Sequence, residues 1–395
     1  MRQKAMGQRF GNKEVTAAQQ QVPVKKVIWT NVIFFFLTTL LGTLGTCLYL
    51  LRFGISVSEL LLFLFYMAVT STSITLGYHR LFAHCTFKAH ALVRFLVLFF
   101  GAAAFEQSAL RWASQHRDHH RLVDSELDPY SIKKGFFYAH IGWLIFWQHP
   151  LHYENARDLR KSRLLAHQHR YYTAWSITAG ILTPLVVGAL TGHLLGAFLL
   201  SVCTRLTLVY HATFCINSVC HKFGKATYDI YSSAKDHWLA ALITNGEGYH
   251  NYHHHFPGDY RNGVRWYQWD PTKWIIALLS GLGLAWDLRK MSKFRIIAAQ
   301  LAAEKQSLED RLLERLENPG ALTFREMLQA QYEKLKQTLG DWEHAARDYQ
   351  QILCQRIARH SNATKEAAVR SLEARRRFHQ MLTQWKSVYL QLQAA

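Results

Sequence analysis

A chain of 395 residues has room for more than one domain of ordinary size. Half of it is hydrophobic, yet it carries a formal net charge of +19. That mixture excludes a uniformly soluble globule and points to long apolar stretches set against strongly basic ones. Charge of that size fits nucleic acid, anionic lipid headgroups or an acidic, nucleotide-bearing acyl carrier as partner. The six cysteines are scattered without a CxxC pair, which excludes a disulfide framework in favour of reduced thiols. Histidine is the anomaly: there are 22, many in tight clusters.

In chain order, residues 1–26 are polar and basic (Arg2, Lys4, Arg9, Lys13, Lys25, Lys26), lack a signal-peptide cleavage pattern, and read as a cytoplasmic tail. An apolar stretch over 27–51 is long enough to cross a hydrocarbon core of ~30 Å. A short turn leads to a second stretch, 55–78, with Glu59 near its start. A second hairpin of spans, 173–190 and 193–213, turns at Thr191-Gly192. The turns are poor in Lys and Arg, whereas the tails and the 79–172 segment are rich in them. Both termini and the middle segment are therefore expected on the cytoplasmic side, of a bacterial inner membrane or the endoplasmic reticulum. Residues 91–105, 135–147 and 272–286 are apolar but short or interrupted, and fit interfacial or re-entrant helices. A nucleic-acid binder would explain the charge but not the spans, so nucleic acid is not expected as a partner.

Beyond about Met291 the composition turns charged and rich in Ala, Leu and Gln. One heptad position holds Leu328, Leu335, Trp342 and Tyr349, and its partner holds Tyr332, Leu339, Ala346 and Leu353. A second run is Phe378, Leu382, Trp385, Tyr389 and Leu392, with breaks at Pro319-Gly320 and His360-Ser361-Asn362. The pattern predicts an antiparallel coiled hairpin over 291–395, a helical cap or a surface for self-association.

The histidines form four groups: His79-Arg-Leu-Phe-Ala-His84, His116-Arg-Asp-His119-His120, Asn217-Ser-Val-Cys-His221 and His250-Asn-Tyr-His253-His254. Each lies at the cytoplasmic end of an expected span or in a segment beside one. Positions i, i+3 and i+4 share a helix face, so each HxxHH motif can aim three imidazoles at one point. His79 and His84 stand roughly 140° apart on an ideal helix and converge only if it ends or bends between them. Neutral imidazole suits Fe, Zn, Cu and Ni, and one zinc is satisfied by about four ligands, so nine clustered histidines point to two metals.

These motifs resemble those of the membrane-bound fatty-acyl desaturases, particularly the stearoyl-CoA (delta-9) type. The likeness extends to Gly77-Tyr-His-Arg-Leu-Phe-Ala-His84, Asp128-Pro-Tyr, His140-Ile-Gly-Trp-Leu, Arg205-Leu-Thr-Leu-Val-Tyr-His-Ala-Thr and Gly246-Glu-Gly-Tyr-His-Asn-Tyr-His-His-His-Phe-Pro257. It covers roughly 25–290 and leaves the helical C-terminal hundred residues outside the usual family core. The resemblance implies an all-α integral membrane fold of four transmembrane helices under a cytoplasmic cap, the desaturase domain being 27–290 and the helical extension 291–395. It further implies two iron ions on His79, His84, His116, His119, His120, His221, His250, His253 and His254, with Asn217 acting through water. The implied reaction is O2-dependent insertion of a cis double bond, at delta-9, into a long saturated acyl thioester held in a narrow tunnel. Phe63, Tyr66 and Met67 are candidates to close that tunnel, and Trp147 to line it. With no heme, flavin or nicotinamide motif in the chain, electrons are expected from a separate ferredoxin or cytochrome b5 type protein.

Two departures from the family bear on the acyl carrier. Ser114-Gln115 stand where acyl-CoA members carry Arg-Asp, and Trp147-Gln148 where they carry Arg-Lys. Lys133, Lys134, Arg157, Arg160 and Lys161 offer phosphate contacts by another route. A third departure is His211, where Asn is usual. Competing readings are an acyl-lipid or acyl-carrier-protein desaturase, a di-iron hydroxylase, and a histidine-rich membrane metal-binding or transport protein. The last would place its ligands at mid-bilayer rather than at cytoplasmic ends.

Overall fold

The computed structural model describes residues 26–146, 153–314, 320–354 and 362–394. It is mostly helical, with one short two-stranded sheet among the described residues. Four helices are long and apolar enough to cross a membrane: α1 (Trp29–Phe53), α2 (Val57–Ala83) and, further on, Tyr172–Leu190 and Leu194–Lys222. Between the two pairs lie α3 (Ala91–Ala102), α4 (Ala109–Leu122) and α5 (Arg163–Arg170), which lead into α6 (Tyr172–Leu190) and α7 (Leu194–Lys222). Then come α8 (Trp238–Ile243), α9 (His250–His255) and α10 (Pro271–Gly281), followed by α11 (Lys293–Glu314), α12 (Gly320–Cys354) and α13 (Asn362–Ala394).

The four spans fall where the apolar stretches predict, but α2 and α7 outrun them, ending at Ala83 and Lys222 rather than near 78 and 213. Hydropathy marks where hydrocarbon gives way to water, whereas a helix ends where its hydrogen bonds do. Both extensions carry histidines. The start of α2 is fixed by a capping box in which the Ser56 side chain accepts from the Glu59 amide and the Glu59 carboxylate accepts from the Ser56 amide. Each span contains π-helical turns: Leu41–Gly45, Ser73–Ala83, Thr178–Leu182 and Ala197–Thr204.

The chain divides into two compact units, Met1–Cys85 with Ala89–Ser218, and Thr86–Lys88 with Val219–Ala395. The first holds α1 to α6 and most of α7. Its helices approach through small residues and hydroxyls, as expected where lipid supplies no hydrophobic drive. A Cβ on Gly42 would lie 2.7 Å from the Cys203 carbonyl oxygen. The Thr204 hydroxyl donates to the Gly42 carbonyl at 2.9 Å, and the Thr207 hydroxyl to that of Thr38 at 3.1 Å. On the outside, Trp29, Phe36, Leu48, Leu61 and Leu190 are among many exposed apolar side chains.

At the centre of this unit Arg205 is fully buried. Its guanidinium donates to the carbonyls of Ser201 (2.7 Å), Ala103 (2.7 Å) and Gly180 (3.0 Å) and to the Thr70 hydroxyl (3.3 Å), with the Tyr66 ring 5.6 Å away. It thereby ties α2, the loop after α3, α6 and α7.

In the second unit α11, α12 and α13 pack around Phe294, Leu301, Leu308, Leu328, Leu335, Trp342, Phe378 and Trp385. The pairs Trp342–Phe378 and Tyr332–Trp385 run in opposite senses, so α12 and α13 are antiparallel, as the heptads predict. The heptad hairpin accounts for α12 and α13, and α11 is a third helix on the N-terminal side of the expected Pro319-Gly320 break. The wide face created by Trp342 and Trp385 is completed by α11, whose Phe294 meets Trp342 edge-on and whose Glu304 accepts from the Trp385 indole at 2.9 Å. The predicted breaks at 319 and 360–361 lie outside the described residues, as does most of the basic 1–26 tail.

Replacing Arg205 by Leu strands three carbonyls and a hydroxyl away from water and is expected to cost at least about 3 kcal/mol. Arg205→Lys, with three donors for four acceptors, should fall between Leu and the parent. Thermal unfolding in detergent checks the order; a Leu variant as stable as the parent would remove Arg205 from this role.

Candidate metal centre

Within the first unit α2 and α4 supply one group of imidazoles. His79 lies near the end of α2, and His84 is the residue that closes it. The helix ends between them, at Ala83, as expected, but it widens before it does so. Ser73–Ala83 is π-helical, and the His84 amide donates to the His79 carbonyl at 3.0 Å, an i to i+5 bond. That brings the two rings to 4.9 Å between centroids. α4 adds His116 and His120. The Nε2 atoms of His84 and His116 are 2.9 Å apart, and the metal-binding nitrogens of His79, His84, His116 and His120 all lie within 4.8 Å of one another.

The second unit holds a matching group. His221, on the end of α7, and His250 and His254, on α9, converge. His250 Nε2 is 3.0 Å from Nε2 of both His221 and His254.

The sequence reading aims all three imidazoles of each HxxHH motif at one point, and the structure corrects this to two. His116 and His120 are 4.7 Å apart between centroids, while His119 is 6.2 Å from His116. Likewise His250 is 4.5 Å from His254 and 5.7 Å from His253. Adjacent helical residues differ by about 100° in direction, so the i+3 and i+4 members cannot share one line of sight. His119 and His253 are both buried.

The far side of the rings is anchored. His119 Nδ1 meets the buried Asp128 carboxylate at 2.8 Å, His221 Nδ1 the Ser233 hydroxyl at 2.7 Å, and His116 Nδ1 the Tyr130 hydroxyl at 3.4 Å. Holding Nδ1 in this way turns Nε2 inward with its lone pair available. Burial, together with the neighbouring imidazoles, pushes His116 well below the usual histidine range, which keeps it in the neutral, ligating form.

Two residues that the sequence reading passed over wall the first group. Trp112 stacks on His116 at 4.8 Å and lies 6.0 Å from His79. Its indole donates to the Glu106 carboxylate at 3.2 Å, which also accepts from Thr213 at 2.8 Å. Burial pushes the Glu106 carboxyl up to about 7. Phe105 and Gln107, on either side of it, both have positive φ. The signal was in the sequence: Glu106 is the one acid between Glu59 and Asp118, in an otherwise apolar surrounding. Ser233 had no such signal.

Asn217 lies one turn before His221 on α7 and is half-buried. Tyr66 is buried, between Phe100 and the Arg205 guanidinium, whereas Phe63 and Met67 are half-buried. Trp147, Gln148, His149 and His152 lie outside the described residues. His140 and His211 pair through ring nitrogens at 3.0 Å, with His140 also 2.9 Å from the Ser218 hydroxyl. Ser114, one of the departures, is buried and exchanges hydrogen bonds with Asn155. Lys133 and Lys134 direct their ammonium groups to the carbonyls of Asp124 and Glu126, whereas Arg157, Arg160 and Lys161 are exposed.

Membrane-length helices whose ends carry groups of inward-turned imidazoles define a multi-pass membrane protein equipped to hold metal. Residues 58–286 match the fatty acid desaturase family, and the chain belongs to it. It is 42% identical over 249 residues to a probable acyl-CoA desaturase of Schizosaccharomyces pombe, covering 62% of this chain and 52% of that relative. It is 40% identical over 247 residues to acyl-CoA desaturase 1 of Saccharomyces cerevisiae, covering 62% and 48%. Against stearoyl-CoA desaturase 4 of Mus musculus it is 34% identical over 288 residues, covering 70% and 79%. The chain thus spans about half the length of the two yeast relatives.

Asp128→Asn keeps the shape of the His119 contact but removes its charge. Metal affinity is expected to fall ~10–100-fold with helix content unchanged. Metal stoichiometry under a chelator titration checks this, and parental retention would free Asp128 from the role.

Proposed function

We propose that this chain is an acyl-CoA desaturase that introduces a cis double bond, at delta-9, into a long saturated acyl chain. The observation that carries this reading is the inward convergence of ring nitrogens in both imidazole groups, with Nδ1 of His116 and of His221 anchored behind them. Clustered imidazole nitrogens suit a divalent transition metal, and the family and its acyl-CoA relatives favour iron. One iron is assigned to His79, His84, His116 and His120 and the other to His221, His250 and His254. His119 and His253 complete the ligand set, and Asn217 acts through water. The two irons would supply, with O2, the oxidising power that an unactivated C–H bond requires. The overall balance is R–CH2–CH2–R′ + O2 + 2 e⁻ + 2 H⁺ → R–CH=CH–R′ + 2 H2O.

The chain's own residues position and shield. Asp128, Tyr130 and Ser233 fix the imidazoles, so the donors need no reorganisation when metal binds. Trp112, held by Glu106, closes one side of the first group against water. Arg157, Arg160 and Lys161 are the exposed cations available to the phosphates of a CoA carrier, since Lys133 and Lys134 are engaged by backbone. Phe63, Tyr66, Met67 and Trp147 are assigned to the acyl tunnel. Two electrons come from a separate ferredoxin or cytochrome b5 type protein, for which the basic cytoplasmic face is a docking surface. Both termini are assigned to the cytoplasmic side, with 27–290 as the desaturase domain and 291–395 as a surface for self-association.

Expression in a desaturase-deficient host should yield new monounsaturated fatty acids, with the bond located by derivatisation and mass spectrometry. His120→Ala should abolish them. Hydroxylated chains instead, or products that survive in the His120→Ala variant, would overturn the reading. Phe63→Ala should shift products toward longer chains; an unchanged length profile would remove Phe63 from the tunnel.

A further inference from the structure

Outside the imidazole groups, the second unit displays a set of exposed aromatic and aliphatic side chains, in which Trp266 packs on Tyr267 and Trp269 on Trp274. Trp266 is 85% exposed and Trp238 64%. Around them Tyr267, Trp269, Trp274 and Leu278 are also exposed. α8 turns Trp238, Leu239, Leu242 and Ile243 outward and buries only Ala240 and Ala241. Residues at a frayed surface would be held loosely. These are held by a buried polar base.

Asp270, with no exposed surface, accepts from the amides of Asn262 (2.9 Å), Gly263 (3.0 Å) and Lys273 (3.1 Å). The Lys273 ammonium, itself buried, donates to the carbonyls of Gly263 (2.6 Å), Arg265 (2.7 Å) and Gln268 (3.0 Å). The loop bearing Trp266, Tyr267 and Trp269 is therefore pinned at both ends and in the middle. The same base reaches α8: Thr272 donates to the Asn245 carbonyl at 3.2 Å, and the Gly246 amide to that of Ala241 at 2.9 Å. Two buried ionisable groups thus serve to hold apolar rings out of the fold, and that arrangement needs an apolar occupant outside.

We infer that α8, the 263–270 loop and α10 form an in-plane membrane anchor whose aromatic side chains bed in the interfacial zone of an anionic bilayer. Three observations select lipid as the occupant. α7, a membrane-length helix, ends at Lys222, and only residues 223–237 separate it from α8. Trp and Tyr, rather than Leu alone, are the residues that favour the headgroup level, with an apolar ring and a polar edge. Residues 219–290 expose Lys222, Lys225, Arg265, Arg289 and Lys290 but a single acid, Asp287, which pairs with Lys88 at 2.8 Å. Such a surface complements anionic headgroups. The anchor is independent of the metals and of the reaction.

The test uses the full chain in nanodiscs of phosphatidylcholine and phosphatidylglycerol, with Cys47 and Cys354 replaced by Ser. A single cysteine is introduced as Trp266→Cys, Leu278→Cys or, for reference on α13, Val369→Cys, and labelled with an environment-sensitive fluorophore. Labels at 266 and 278 should be quenched several-fold more than that at 369 by lipids carrying a nitroxide high on the acyl chain. They should also be several-fold less accessible to aqueous iodide. Iodide accessibility equal to that at 369 would overturn the anchor. Protection from both quenchers would overturn it as well, since a second protein copy rather than lipid would then cover the face. Only labelled protein that elutes monodisperse with parental helix content is scored, and unlabelled-site background is taken from the cysteine-replaced parent.

Discussion

A single cation with no access to water governs the first unit. Burying a guanidinium in an apolar surrounding costs several kcal/mol unless its donors are met, and Arg205 meets four acceptors on four parts of the chain. Two of those, the carbonyls of Ser201 and Gly180, lie in π-helical turns, where the offset backbone ladder leaves carbonyls open to an outside donor. A third, Ala103, begins the strained loop that presents Glu106. The charge and the irregular backbone therefore stabilise each other. The helices could not shift relative to one another without uncovering Arg205.

From that frame the imidazoles follow by projection. α2 and α7 continue past their apolar stretches and carry His79 and His221 with them. A helix in hydrocarbon must satisfy its backbone internally, so it is the stiffest available support for a ligand at the membrane boundary. The shorter α4 and α9 bring the HxxHH pairs, and side chains behind each group hold Nδ1. What the protein builds is a set of nitrogens already turned inward, so that little order remains to be created when a metal arrives.

Much of this was legible in the sequence because it rests on local periodicities. The four apolar runs gave the spans, and the heptad from Leu328 to Trp342 gave the antiparallel packing of α12 and α13. The i, i+4 spacing gave His116 with His120 and His250 with His254. What escaped depended on backbone departures or on distant partners. No spacing rule for an α-helix would bring His79 to His84, because the rule changes when the helix widens. The i+3 histidines looked equivalent to their neighbours until the roughly 100° between adjacent positions was resolved in space. Ser233 and Trp112 owe their roles to loop and side-chain geometry that no spacing pattern announces, and α11 to the aromatic rings of α12 and α13. Glu106 was visible as a lone acid, but its partners Trp112 and Thr213 were not.

The π-helical turns carry a consequence for how such a chain can vary. A π turn is geometrically an α-helix that has absorbed an extra residue, and each of the four membrane-length apolar helices contains one. Each span is therefore a rod with a rotational joint: the portion facing lipid and the portion beyond the joint hold independent angular settings. In α2 the joint begins at Ser73, before His79. Single-residue insertions and deletions, ordinarily ruinous inside a packed helix, would here act as a gearing change that re-aims the functional end while the lipid-facing side keeps its phase.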